Sequence, residues 1–570
     1  MPHRACTGTC AARGPESSQR RRRGNFPPLE VFVLNGRRHS TADGRRPRVV
    51  VAEAFADSGL AVLRASDVEI ISCVGKPEAL KEALAEADGL IVRSETRVDR
   101  ALLALAPKLA VVARAGVGVD AIDVEAATDA GIVVINTPAA NTLAAIEQTF
   151  TLILGSVRHL PAANASLRAG IWDRKPFIGT ELAGKTLGIV GLGRIGGGVA
   201  HRAAAFGMKL LACDPFIAPA RADSLGARLL PLDEVLALAD IVTLHVPLNK
   251  QTRGMIDGSK IKLMKPTALL VNCARGGVID EASLLEALDA GTIAAAAIDV
   301  VAKEPPPPDG TGAKLHRHPK VVATPHLGGS THEALERIAI ELATDLAAVL
   351  RGGPAAGAVN APIADGPDAE RLRPFVDVAY RIGKLYPQLT QAAILPRFSL
   401  VLQGQIAESD SEPLVASFLT GLLQTTTDRR VTIVNARTIA QELGVGVDVR
   451  SDSSADTYAS SLRIIGGGTS IVSTTVSGAP RIVNIDGFEI DAAPSGSLLL
   501  TQHADMPGMI GKVGTVLGEA KINISTMQVS RTDVGGLAMM ILATDRSTDE
   551  ATIDRIRGIA GITSVRAIDL

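Results

Sequence analysis

Aromatic side chains are scarce: one tryptophan, three tyrosines and eleven phenylalanines make up 3% of 570 residues, which argues against a surface built to stack bases or sugars. Charge of one sign is scarce too. With 59 basic against 60 acidic residues, a net charge of -1 gives nucleic acid or an anionic membrane no electrostatic reason to bind. No apolar run reaches the ~20 residues that span a bilayer. The five cysteines, Cys6, Cys10, Cys73, Cys213 and Cys273, are odd in number and scattered, so a disulfide framework is not expected and a reducing, cytoplasmic setting fits. Cys6 and Cys10 have no second ligand pair nearby, and no metal is expected.

What is present is length and regularity. At about 100 to 200 residues per domain the chain holds three or four domains, and 46% hydrophobic with 21% charged residues reads as globular. Residues 1–46 stand apart, with ten arginines against three acids, the run 20-RRRR-23 and neither a helical nor a strand period. They read as a disordered extension or a mis-assigned start. An organelle transit peptide, which would direct the protein to plastid or mitochondrion, or a basic binding tail are the functional alternatives.

From Arg48 short β-rich runs such as 48-RVVVAE-53, 88-DGLIVRS-94 and 109-LAVVARAG-116 alternate with Ala/Leu-rich helical stretches. A second series follows 180-TELAGK-185, with 186-TLGIV-190, 208-MKLLACD-214, 239-ADIVTLHV-246, 267-TALLVNCA-274 and 293-IAAAAIDV-300. Strands separated by helix-length segments predict βαβ units, hence two open parallel sheets. Gly, Pro and Ala mark a linker over 351–367 and a second break over 493–497. The stretch between them is mixed α/β, and the final stretch reads strand, helix, strand, strand, helix, strand, a ferredoxin-like βαββαβ unit.

The strand 186-TLGIV-190 runs into 191-GLGRIG-196 and a helical pattern, the context that gives a G-x-G-x-x-G weight. Gly191 would make the tight turn, Gly193 would let the backbone approach a pyrophosphate, and Gly196 would let helix and strand pack. Asp214, at the next strand's end, suits ribose hydroxyls and repels a 2′-phosphate, so NAD is expected over NADP.

Three charged features follow strands of the second sheet: 272-NCARGGVIDE-281, 298-IDVVAKEPP-306 and 324-TPHLGGST-331. Singly, Arg275 reads as a surface cation, Glu304 as a residue before a proline and His326 as a turn histidine. Together, at the carboxyl ends of parallel strands, they are a set for 2-hydroxy acid chemistry. Arginine grips a carboxylate, histidine moves the hydroxyl proton, and the acid orients the imidazole and favours its charged form.

GLGRIG, the HVPL of 245–248, NCARGG, the IDV and KEP pair and PHLGGST resemble the D-isomer-specific 2-hydroxyacid dehydrogenases, and 503-HADMPG-508 with 522-INISTMQ-528 resembles the ACT regulatory domain of their long members. The likeness extends over about residues 48 to 570. It implies an α/β chain: a flavodoxin-like substrate domain (47–142 and 333–360), a Rossmann NAD domain (143–332), an intervening regulatory domain (365–495) and an ACT domain (497–570). It implies catalytic Arg275, Glu304 and His326, with Arg194, Ile195, Asp214, Val246, Cys273, Ala274, Asp299, Leu327, Gly328 and Gly329 beside the glycine fingerprint at the cofactor. The implied reaction is oxidation of 3-phosphoglycerate to 3-phosphohydroxypyruvate, the committed step toward serine, in a homodimer or homotetramer.

Substrate recognition would fall to 93-RSET-96, 114-RAGVG-118 and 139-AAN-141, hence Arg93, Arg114, Gly116, Val117 and Asn141, because a three-carbon chain with phosphate and carboxylate at its ends needs flanking cations. Arg114 serves equally well as a structural ion-pair partner. Arg174, after Trp172, is a candidate to reach a neighbouring subunit. In the ACT unit His503, Asp505 and Asn523 would hold L-serine as feedback effector, the alternative being a module that only dimerises. Arg450 and Arg463 are candidate anion ligands in the intervening domain. Two departures from the family pattern are Gln148, where many relatives carry histidine, and Gly197-Gly198, expected to loosen the helix start. The competing functions are a glyoxylate or hydroxypyruvate reductase of the same family and a cofactor-sensing corepressor on this fold.

Overall fold

The computed structural model describes residues 45–353, 357–363, 367–391, 395–454 and 457–570. Residues 1–44, with Cys6, Cys10 and the arginine run, and parts of the 351–367 linker lie outside them. Arg45 and Arg46 belong to the folded chain rather than to an extension: Arg45 pairs with Asp88 at 2.8 Å and Arg46 with Asp67 at 2.8 Å.

Apolar runs bounded by helices form parallel sheets because both faces are covered and every strand position can be apolar. The first sheet shows this in Arg48–Val51, Gly89–Val92 and Val111–Arg114, in the spatial order second, first, third, fourth, fifth strand, which is flavodoxin-like. Its fifth strand is Val133–Ile135, and Ala358 pairs antiparallel with Ile135. The helix His332–Leu350 returns to this sheet, and Ile338, Leu342 and Leu346 share a core with Val49, Ile91 and Val111.

The second sheet has seven parallel strands in the order 3-2-1-4-5-6-7, counting from Thr186–Val190, the doubly wound arrangement of a nucleotide-binding domain. Two of its helices begin at a capping carboxylate: Asp257 accepts the amide of Lys260, and Asp280 that of Ser283. The helix Thr142–Val157 covers one face through Ile146, Phe150 and Ile153. Gly198 does not loosen anything. A Cβ there would lie 2.2 Å from Ile146 Cδ1, so the glycine lets two helices approach closely, and the helix still starts at Arg194.

Beyond the linker, six strands form a mixed sheet packed on the helices Pro367–Thr390 and Glu412–Gln424. This domain plugs into the first one. Arg430 donates to the Leu109 carbonyl at 2.9 Å and Thr432 to that of Gly131 at 3.2 Å, while Ile433 and Val434 enter the first domain's core. The last unit is βαββαβ, its four-stranded antiparallel sheet in the order 2-3-1-4. The α/β class and the succession of two parallel sheets, a mixed sheet and a ferredoxin-like unit are as the sequence patterns lead one to expect.

Candidate active site

The cleft lies between the two parallel sheets, at the carboxyl ends of their strands. Gly191 has a positive φ of 90°, and a Cβ there would stand 2.5 Å from the His245 carbonyl and 2.9 Å from Val246 Cγ1. A Cβ on Gly196 would strike the Gly191 carbonyl at 2.0 Å, whereas beside Gly193 nothing lies within 4 Å. Two glycines thus set the turn against its surroundings and the third leaves open space before the 12-residue helix Arg194–Ala205. Ile195 packs on the domain core, and Arg194 reaches the Pro138 carbonyl at 3.4 Å. Asp214 lies beside the turn, its two oxygens accepting the amides of Leu192 at 2.8 Å and Phe216 at 3.0 Å. The partly buried His245 ring donates or accepts at Thr243 Oγ1 through Nε2, while its buried Nδ1 has no partner and burial lowers the pKa to about 4. A glycine turn, a helix start, an acid and an orphaned ring nitrogen are fit to hold a dinucleotide.

Opposite lies the histidine. Nδ1 of His326 is 2.6 Å from Glu304 Oε2, and both side chains are partly exposed to the cleft. Burial pushes the Glu304 carboxyl up, but the His326 hydrogen bond and charge, the Val301 amide and the charge of Arg275 outweigh it, leaving the pKa below the ordinary value. His326 has a φ of 56°, a left-handed conformation that a side chain adopts at a cost. Asp299 holds it there. The backbone carbonyl of Asp299 accepts the His326 amide at 2.8 Å, and its buried carboxylate accepts the Leu327 and Gly328 amides at 2.8 Å each and the Thr324 hydroxyl at 2.5 Å. Cys273 Sγ is 3.7 Å from the same carboxylate, and burial first, then that charge, push the thiol up to about 12. Gly329 abuts the Asn141 amide, and Ala274 accepts a bond from Arg275.

Three guanidiniums gather beside this pair. Arg114 curls across Gly116, whose φ of 142° favours glycine and where a Cβ would meet the guanidinium Nη1 at 1.5 Å and force it aside. Burial, then the neighbouring charges of Arg275 and Arg93, lower the Arg114 pKa to about 10. Arg275 is steadied by Asp120 at 3.3 Å, and the Val117 carbonyl accepts from Asn136 at 2.5 Å. Arg114 Nε, Thr137 Oγ1 and Asn141 Oδ1 are buried without partners. Crowded cations with unmet bonding capacity are fit to hold an anion.

Several residues here escape sequence reasoning. Glu53 is buried and accepts the amides of Arg93, Glu95 and Thr96, which fixes the 93–96 loop; burial raises its pKa, but those bonds bring it below the ordinary value. The strand-end rule that singles out Arg93 applies equally to Glu53, two residues past the end of the first strand. Gln148 donates to Thr324 Oγ1 at 3.0 Å, across 176 residues of sequence.

The proposed effector residues are less gathered. His503 is buried with Nδ1 at the Ala538 carbonyl, Asp505 pairs with Arg531 at 3.2 Å, and Asn523 is exposed. Among the described residues no hydrogen bond joins Asn523 to the other two. Nor do any described His, Cys, Asp and Glu residues form a group placed to hold a metal ion, and none of the described helices is long and apolar enough to cross a membrane.

Comparison with known proteins gives three family matches. Residues 150–328 match the NAD binding domain of D-isomer specific 2-hydroxyacid dehydrogenases, 371–486 the D-3-phosphoglycerate dehydrogenase intervening domain, and 497–561 the ACT domain. D-3-phosphoglycerate dehydrogenase of Bacillus subtilis is 40% identical over 92% of this chain and 99% of its own. The chloroplastic enzyme 2 of Arabidopsis thaliana is 37% identical over 91% of this chain and 86% of its own. Among solved structures, a Thermus thermophilus protein (TM-score 0.51, 36% identity) covers 55% of this chain and 99% of its own. A glyoxylate reductase from Paecilomyes thermophila (TM-score 0.50, 29% identity) covers 55% and 98%.

Proposed function

The chain belongs to the D-isomer-specific 2-hydroxyacid dehydrogenases, within the D-3-phosphoglycerate dehydrogenase family, and on that basis we propose that it oxidises D-3-phosphoglycerate to 3-phosphohydroxypyruvate with NAD, the committed step toward L-serine. The observation that carries this reading is the crowding of Arg93, Arg114 and Arg275 beside the His326–Glu304 pair. A substrate with a phosphate at one end and a carboxylate at the other answers three cations; a plain hydroxy acid leaves at least one uncompensated.

In this reading Arg275 grips the carboxylate and polarises C2, while Arg93 and Arg114 take the phosphate. NAD, held by the Gly191–Gly196 turn and Asp214, would supply the acceptor for the C2 hydride. Neutral His326 accepts the C2 hydroxyl proton at Nε2, and Glu304, hydrogen-bonded at Nδ1, stabilises the imidazolium that results. Asp299 and Thr324 position the histidine through its loop. The test compares NADH formation from 3-phosphoglycerate with that from D-glycerate and glycolate. Preference for an unphosphorylated acid would favour the reductase reading, and no turnover of any 2-hydroxy acid the corepressor.

L-serine feedback at the ACT unit is part of the same proposal, with His503, Asp505 and Asn523 as ligands and a second subunit bringing the exposed Asn523 to the others. Inhibition by serine that Asn523→Ala abolishes is the expected result; no inhibition of either form leaves dimerisation alone.

A homo-oligomer is supported by an apolar arm. The helix Leu160–Arg168 buries none of its residues, and Leu160, Ile171, Trp172 and Ile178 are 64%, 57%, 81% and 80% exposed. A second copy, with its own arm, is the matching cover. Cys73, Cys213 and Cys273 are free thiols, consistent with the reducing, cytoplasmic setting proposed here.

A further inference from the structure

A cavity of about 310 Å³ lies at the seam between the mixed sheet and the βαββαβ unit. Strand pairing explains how it arises. One face of the antiparallel sheet carries Leu498, Leu500, Met539, Ile541 and Ile568, which join the core of the domain before it. Toward the far end of that face the same alternation presents polar side chains: Gln502 is paired with Met539 and Ser564, and Arg566 with Leu500. There the dry packing stops and the cavity opens, with Ile485 and Asp486 forming the opposite wall.

The seam around it is anchored. Arg566 Nε donates to the Leu389 carbonyl at 3.2 Å, and Gln388 and Asp569 exchange two hydrogen bonds at 3.0 and 2.9 Å. Opposite charges line the two walls, yet among the described residues no ion pair joins Arg566 to Asp486 or gives either a counter-ion. Arg566 bonds only to carbonyl oxygens, and Asp486 accepts the Ser470 amide at 2.7 Å. Arg566 is half-buried with no ionised partner among the described residues, a desolvation cost that a bound anion would offset, and Asp486 stands exposed at the cavity's other wall, free to meet a cation.

We propose that this cavity is a binding site for a free α-amino acid in its zwitterionic form. Arg566 takes the carboxylate, Asp486 the ammonium, Gln502 and Ser564 supply hydrogen bonds, and Leu500 and Met539 face the side chain. The volume falls at the lower end of small-molecule pockets, about 300 to 1,000 Å³. None of His503, Asp505 and Asn523 lines the cavity, so this site is separate from the one proposed above and does not depend on the catalytic reading. An occupant touching both walls favours the seated arrangement of the two domains over any other.

Calorimetric titration of the full-length enzyme with L-serine and L-methionine tests this, with acetate and methylammonium as probes of one charge each. At least one amino acid is expected to bind, and neither control to match it. Asp486→Asn, which keeps the acceptor for Ser470, and Arg566→Met should each weaken that binding by about tenfold or more. In the Asn523→Ala variant, which removes the separate serine site proposed above, the binding that depends on Asp486 should remain. Three results would overturn the proposal: no binding of either amino acid, acetate binding as well as the amino acids, or binding that survives Asp486→Asn and is lost in Asn523→Ala. Because Arg566 also anchors the seam, the Asp486 variant decides if the arginine variant fails to fold.

Discussion

Asp299 holds His326 in a left-handed backbone conformation while presenting no side-chain atom to its ring. The bonds run from the amides of residues 326 to 328 to the Asp299 carbonyl and carboxylate, and the ring is left to Glu304. Orientation and proton affinity thus have separate owners. Asp299→Asn should lower kcat while leaving the shape of the pH profile intact, because one oxygen is replaced by a donor facing amide donors. A displaced limb with unaltered kcat would contradict this division.

Glu304 owns the other half. In the reductive direction His326 must carry a proton, and removing its anionic partner makes that form harder to keep. Glu304→Gln should therefore move the basic limb of the reductive rate profile to lower pH, with His326→Ala losing roughly 10² to 10⁴ in turnover and retaining NADH affinity. The Glu304 pKa lies below its ordinary value, so the stability this pair contributes is present at neutral pH and is lost only as pH falls through that lowered value.

Arg114 is a strained cation. Its pKa is lowered to about 10 by burial and then by Arg275 and Arg93, so the folded state disfavours its proton and is penalised wherever the group is charged, below that value. Arg114→Met should raise the melting temperature of the ligand-free enzyme at pH 7 and raise KM for 3-phosphoglycerate more than for D-glycerate. Inorganic phosphate should stabilise the parent enzyme, by about 2.7 kcal/mol at a hundred times its Kd, and the variant much less. A variant less stable than the parent without phosphate would show the cation to be a structural partner.

Asp214 stands where an adenine ribose is expected, and its carboxylate would repel a 2′-phosphate. kcat/KM with NADH should exceed that with NADPH, and Asp214→Ser should narrow the ratio. Equal efficiency with both cofactors in the parent enzyme would remove the argument.

The apolar arm makes the last prediction. Trp172→Asp with Ile178→Asp places charge in the surface proposed to meet a second copy, and light scattering should report a smaller assembly. An unchanged mass would locate the subunit contact elsewhere.

Much of the architecture was legible because parallel strands announce themselves as apolar runs, and because 186-TLGIV-190 precedes its glycines in the required order. Strands Val133–Ile135 and Ala227–Leu229 were harder to see, since three residues are too few for a period. Arg275, Glu304 and His326 could be placed at strand ends, and the sheet order sets those ends side by side. The bond from Gln148 to Thr324 and the bonds from Arg430 to the first domain could not be read. Their partners lie 176 and more than 300 residues away, and two of the acceptors are backbone carbonyls, which carry no sequence identity.

The returning helix His332–Leu350 also fixes an order of events during synthesis. The first sheet leaves the ribosome early, yet Val49, Ile91 and Val111 stay uncovered until Ile338, Leu342 and Leu346 emerge, a side-chain burial of about 5 to 9 kcal/mol. The domain translated second has all its strands and helices by Ala323. It can complete its fold while the domain translated first is still waiting for its lid.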